Sequence, residues 1–183
     1  YTSFEKDIVL NGLNEIQIAD MIDPDVDIIG LSLMFSGNWL HNKILLEVLG
    51  EKFPYAKIIA GGEHITAAAK FCIENTNHLD VCICGEGEET IVELIDGFEK
   101  QSDLSNIKGI VYRDEENNVI ENPRRLRIKD IESIAWPAWE YFPLKKYKDN
   151  SIIYGVDRDV YSVPIMATRG CPYSCTFCSS PMM

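Results

Sequence analysis

Lys57-Ile58-Ile59-Ala60-Gly61-Gly62-Glu63-His64 is the stretch that decides the fold. Its first half is apolar without alternation, as in a strand covered on both faces by helices. Two glycines then stop the strand, and a helical period starts at Ile65 and runs to Ile73. The same order recurs outward in both directions. Upstream, Ile28-Ile29-Gly30-Leu31-Ser32-Leu33-Met34 reads as a strand and Trp39 to Phe53 as a helix. Downstream, Val81 to Cys84 reads as a strand. The helix after it carries Ile91, Leu94, Ile95 and Phe98 at i, i+3, i+4 and i+7, with Glu88, Glu89 and Glu93 toward its positive end. With Ile8 to Leu10 as a further strand, residues 7 to 100 alternate β and α. That pattern predicts an α/β fold with a doubly wound, Rossmann-like, mainly parallel sheet.

Small residues follow each strand: Ser36-Gly37-Asn38, Gly61-Gly62 and Gly85-Glu86-Gly87. In such sheets the carboxyl ends of the strands form the ligand edge, where glycine admits a ligand to the backbone and helix starts offer N–H donors. A ligand cleft is therefore expected there.

The 183 residues carry 17 basic against 29 acidic side chains, a net charge of −12. A nucleic-acid carrier needs a basic face, and the basic runs at Arg124, Arg125 and Arg127 and at Lys145, Lys146 and Lys148 are too short to make one. No apolar run approaches the roughly 18 residues of a membrane span. The first residues, Tyr1 to Asp7, hold neither an initiator Met nor a signal peptide, so the chain is expected to be cut from a longer one. Cysteines 72, 82 and 84 and cysteines 171, 175 and 178 form two groups. That grouping suits buried thiols plus a metal site in a reducing, cytoplasmic setting better than a disulfide framework.

Beyond Lys100 the pattern changes. Lys108 to Arg113 and Val119 to Glu121 flank a turn-rich Asp114 to Asn118, a hairpin signal. Residues 123 to 147 are rich in Pro, aromatic and basic side chains, and Trp136 and Trp139 read as packing pegs. The expected division is 1–105 as the α/β domain, 106–160 as a connector with the hairpin, and 161–183 as the start of a further domain. There Ser162 to Thr168 resumes a strand and runs into Arg169-Gly170-Cys171.

Cys171-Pro172-Tyr173-Ser174-Cys175-Thr176-Phe177-Cys178 carries the chemistry. Three thiolates on one short loop suit three irons of a four-iron cluster and leave the fourth open for a reaction. A structural zinc would want a fourth Cys or His near by, and His41, His64 and His78 are distant in sequence. A c-type haem needs Cys-x-x-Cys-His, which is missing. Three unliganded thiols remain the plain alternative.

This C-x3-C-x-aromatic-C loop, with Arg169-Gly170 before it, resembles the radical S-adenosylmethionine (radical SAM) superfamily. The resemblance implies that Cys171, Cys175 and Cys178 ligate a [4Fe-4S] cluster, that S-adenosylmethionine binds the open iron with Phe177 beside its adenine, and that a 5′-deoxyadenosyl radical results. The upstream Asp27-Ile28-Ile29-Gly30-Leu31-Ser32, Gly61-Gly62-Glu63-His64 and Cys84-Gly85-Glu86-Gly87-Glu88-Glu89-Thr90 look like the cobalamin-binding domain that precedes the barrel in B12-dependent members. That implies cobalamin contacts at Ser32, Ser36, Gly61, Gly62, Gly85, Glu86 and Gly87. The Asp-x-His-x-x-Gly motif of other cobalamin proteins is absent, since Asn42 and Lys43 follow His41; a bound cobalt would lack a histidine ligand. His64 is expected to be a helix-start or structural residue.

By this resemblance the parent is a radical SAM enzyme using cobalamin for methyl transfer or oxidative rearrangement of a small molecule, fed electrons by a flavodoxin or ferredoxin. Two other readings stand beside it: a radical SAM enzyme whose first domain binds no cobalamin, and an isolated cofactor-binding or interaction module. The chain would end within the first strand and cluster loop of a truncated (β/α) barrel, and alone it is expected to have no turnover.

Overall fold

The computed structural model describes residues 2–5, 8–10, 12–149, 163, 165 and 168–178. The chain divides into two compact units, one running to Arg127 and the other beginning at Ile128.

In the first unit a hairpin of β1 (Thr2–Glu5) and β2 (Ile8–Leu10) stands as a sheet of its own. Then follow α1 (Glu15–Asp20), β3 (Ile28–Ser32), α2 (Trp39–Lys52), β4 (Lys57–Gly61), α3 (Glu63–Glu74), β5 (Val81–Ile83), α4 (Glu88–Glu99), β6 (Ile110–Arg113) and β7 (Val119–Glu121). The main sheet has the order β3-β4-β5-β6-β7. β3, β4 and β5 are parallel, and β6 and β7 add to β5 antiparallel. This is the Rossmann-like, open α/β sheet that the sequence pattern predicts. The expected hairpin is present, and it continues the sheet through Val81↔Tyr112 and Ile83↔Ile110.

The alternation of side chains across the strands explains both layers of the core. Ile58, Ala60, Cys82 and Val111 face one way, against Leu46 and Leu49 of α2 and Ala69, Cys72 and Ile73 of α3. Ile59, Val81, Ile83, Ile110 and Tyr112 face the other way, against Leu94 of α4 and Ile107. Fully burying a side chain such as Leu46 or Leu94 contributes about 2 kcal/mol.

Local chemistry sets the element ends. Asn14 and Gln17 form a reciprocal capping box at the start of α1, at 2.9 and 3.0 Å. At the far end of α3, Nη2 of Arg113 donates to the carbonyls of Ile73 and Thr76 at 2.5 and 3.3 Å, satisfying groups the helix cannot pair itself. The β6–β7 turn is tied by Asp114, whose carboxylate accepts from the Asn118 N–H at 2.7 Å and from its side-chain amide at 3.0 Å. These bonds hold the Asp114 carboxyl below its usual range.

Two expectations are corrected here. Ile8–Leu10 does not join the parallel sheet; it pairs antiparallel with Thr2–Glu5. Three apolar residues suit any strand, so their pattern names no partner. On α4, Leu94 is buried as expected, but Ile91 and Ile95 are exposed, and the buried side is Thr90, Leu94 and Gly97. Side chains of Ile107 and Leu104 lie so near Gly97 that a β-carbon there would stand 3.3 Å from each. Close approach at Gly97 turns that side of the helix inward.

In the second unit, α5 (Leu144–Asp149) follows two short 3-10 turns, Ile131–Ser133 and Trp139–Tyr141. Trp139 packs tilted against Phe142 at 5.5 Å between ring centroids, while Trp136 is exposed. Most of the barrel strand expected over Ser162 to Thr168 lies outside the described residues, and Val163, Ile165 and Thr168 are not in a strand.

Candidate functional site

Parallel pairing places three loops at one edge of the sheet. Register sets Ser32 opposite Gly61, and Ala60 opposite Cys82. The segments after β3, β4 and β5 thus leave from neighbouring points. They carry Ser32, Ser36, Gly61, Gly62, Gly85, Glu86 and Gly87, so the structure brings the seven strand-end residues singled out in the sequence to one edge. Ser32, Ser36 and Gly85 are exposed there, and Gly61, Gly62, Glu86 and Gly87 are half-buried.

The glycines differ in what they do. Gly85 has φ +78°, and a β-carbon on it would meet nothing within 4 Å, so its bare backbone faces open space. Its N–H donates to Oγ1 of Thr66 at 3.0 Å, which fixes the loop to α3. Gly37 is equally open. Gly62, at φ +104°, plays a different part, because a β-carbon there would stand 2.7 Å from the Leu33 carbonyl oxygen. That glycine lets the β4–α3 loop pass close to the end of β3.

Behind the edge sits a polar chain that the sequence does not reveal. His64, at the first turn of α3, is buried, and its N–H donates to the Leu33 carbonyl at 3.1 Å. Its ring nitrogens lie 2.9 Å from Oγ of Ser36 and 3.3 Å from Sγ of Cys72. Trp39 covers the imidazole, with 5.4 Å between ring centroids. His64 is thus a structural residue at a helix start, as expected. His41 lies on α2, 4.0 Å from the Glu15 carboxylate, and His78 packs against Gly50.

Cys72 and Cys82 are fully buried, and Cys84 is half-buried just beyond β5. Burial pushes the Cys72 and Cys84 thiols up to about 11 and that of Cys82 further up. Glu121 pushes Cys84 the same way and Arg124 opposes it. Those three residues, with Thr66 and Phe71, help line a cavity of about 370 Å³ between α3 and the β6–β7 hairpin.

In the second unit Cys171 and Cys175 are exposed and Cys178 is half-buried, and among the described residues none of the three is in a disulfide. The Cys178 N–H donates to the Cys175 carbonyl at 3.1 Å, closing a tight turn. Phe177 is 92% exposed. Among the described residues no three His, Cys, Asp or Glu side chains gather as a metal site. The Cys171–Cys178 stretch is present as a turn, and its three thiols do not gather there.

Comparison with known proteins agrees with this geometry. Residues 7–95 match the family described as the B12 binding domain. An uncharacterised methyltransferase of Pyrococcus horikoshii is 33% identical over 126 residues, 68% of this chain and 25% of that protein. An anaerobic magnesium-protoporphyrin IX monomethyl ester cyclase of Synechocystis is 31% identical over 155 residues, 85% of this chain and 29% of that protein. Among solved structures, the cobalamin-dependent S-adenosylmethionine radical enzyme OxsB, with aqua-cobalamin and S-adenosylmethionine bound, superposes with a TM-score of 0.53 and 26% identity. That match covers 63% of this chain and 16% of OxsB. The chain thus spans between a quarter and a third of the length of the two curated relatives.

Proposed function

We propose, from the match of residues 7–95 to the B12 binding domain and the likeness of the chain to a cobalamin-dependent S-adenosylmethionine radical enzyme, that the edge made by the ends of β3, β4 and β5 holds cobalamin. A corrin is broad and fringed with amide arms, so it needs an open ledge of hydrogen-bonding groups and close access to backbone. Ser32 and Ser36 offer hydroxyls, Gly85 offers bare backbone, and Gly61, Gly62, Glu86 and Gly87 complete the ledge. The open space at Gly85, on the same sheet edge as two exposed serines, is the observation that carries the reading. Both ring nitrogens of His64 are engaged within the protein, so that histidine does not reach for the cobalt.

The parent protein, in this reading, is a radical SAM enzyme acting on a small molecule by methyl transfer or oxidative rearrangement. Cys171, Cys175 and Cys178 would ligate a [4Fe-4S] cluster, S-adenosylmethionine would lie beside Phe177, and a flavodoxin or ferredoxin would supply electrons. Cobalamin, when bound, would supply the methyl carrier. The Cys spacing and the kinship with cobalamin-dependent radical enzymes support this.

Titration of the 183-residue chain with hydroxocobalamin tests the first claim. Saturable binding near one corrin per chain, with the corrin co-eluting on gel filtration, is the expected result. Elution of all the corrin as free compound would refute the proposal.

A further inference from the structure

Ser36, His64 and Cys72 form a series of hydrogen bonds running from the strand-end edge into the core. A neutral imidazole has one N–H and one lone pair, so its two contacts must run in the same direction along the series. The sulfur decides which. A thiol is a poor acceptor, and a ring nitrogen is a good one. Cys72 is fully buried and its thiol is pushed up to about 11, so it keeps its hydrogen. Neighbouring Cys82 already behaves as a donor, toward the Ala69 carbonyl at 3.6 Å. The Cys72 S–H therefore donates to Nε2 of His64, the ring hydrogen sits on Nδ1, and Nδ1–H donates to Oγ of Ser36. That bond occupies a lone pair of the serine and leaves its own O–H pointing away from His64.

We infer that Cys72 and His64 are positioning residues that turn the exposed Ser36 hydroxyl outward as a donor, so that this edge grips its ligand through an acceptor oxygen, a carbonyl or a phosphoryl. The inference rests on reading the edge as the cobalamin site; the corrin amide arms and the phosphate of the nucleotide tail both offer such oxygens.

The hydrogen-bond direction is tested without any ligand. Nitrogen-15 NMR of the intact chain at about pH 8 should show the Nδ1–H tautomer for His64. Cys72→Ser, which keeps a donor, should preserve it, and Cys72→Ala should release it. An Nε2–H tautomer in the unaltered protein would overturn the inference. Ligand binding is read separately, with hydroxocobalamin and with a cobinamide that lacks the nucleotide tail. Ser36→Ala and Cys72→Ala should each weaken hydroxocobalamin binding about fivefold, the scale of one hydrogen bond, and Cys72→Ser should restore it. Loss on both corrins assigns the oxygen to an amide arm, and loss on hydroxocobalamin alone assigns it to the phosphate. Unchanged affinity in both alanine variants would refute the role of Ser36. Failure of the unaltered chain to bind either corrin would sink the cobalamin reading while leaving the tautomer result standing.

Discussion

Gly62 and Leu33 meet backbone to backbone: a β-carbon on Gly62 would lie 2.7 Å from the Leu33 carbonyl oxygen, the same oxygen that accepts the His64 N–H. This contact joins the end of β3 to the start of α3 and holds two of the three loops of the ledge in place.

Gly62→Ala should therefore do double damage. It puts a side chain at φ +104° and forces Leu33 away from His64, at a cost of about 2 kcal/mol or more. Chemical denaturation should report that loss, and corrin binding should weaken with it. A variant as stable as the parent would show that the loop relaxes freely.

Arg125 pins the segment after β7 onto α4. Its side chain is largely buried, its Nε donates to Oγ1 of Thr90 at 2.9 Å, and its guanidinium reaches Glu89 at 3.1 Å and also Glu93. Arg125→Met keeps the stem and loses the fork. The expected cost is about 1–2 kcal/mol, because the carboxylates are half-exposed and the Thr90 bond is not. Part of the difference should vanish in 1 M salt, where the Debye length is about 3 Å. Equal melting temperatures for parent and variant would remove Arg125 as an anchor.

The three thiols of the first unit set an alkaline limit. In the unfolded chain they ionise near the usual value of about 8.5, whereas burial holds those of Cys72 and Cys84 up to about 11 in the native fold. Their contribution is intact below the unfolded value. It is lost as pH rises from there toward the folded value, because only the unfolded state releases protons in that window. Melting temperature should fall more steeply between about pH 9 and 11 in the parent than in the combined Cys72→Ser, Cys82→Ser, Cys84→Ser variant. Parallel curves for the two proteins would contradict this.

Cysteine alkylation at about pH 8 should label exposed Cys171 and Cys175 well before buried Cys72 and Cys82. Anaerobic reconstitution with iron and sulfide should then give a brown protein with about four irons per chain. Alanine at Cys171, Cys175 or Cys178 should reduce that content. A colourless, zinc-containing product would end the cluster reading.

Much of the first unit was legible because its strands are short apolar runs, the central ones buried on both faces. Ile28 to Ser32 and Lys57 to Gly61 announce themselves as apolar runs, and the glycines after them mark the edge where Ser32 and Gly61 stand side by side. What was not legible depends on partners distant along the chain. Nothing in the sequence links Ser36 to His64 across 28 residues. The stripe on α4 predicted a helix correctly but not its inward side, which close packing of Leu104 and Ile107 at Gly97 settles. Gly62 read as a residue that admits a ligand, and the structure adds a close approach to the Leu33 carbonyl that no pattern announces.

Among the described residues β3 has a paired neighbour on one side only. Alternate amides and carbonyls along Ile28–Ser32 are therefore left without sheet partners, a template on which another strand of any origin can zip. A net charge of −12 opposes such pairing between copies through mutual repulsion. The acidity that first spoke against nucleic acid thus also bears on an open seam, and added salt weakens that repulsion.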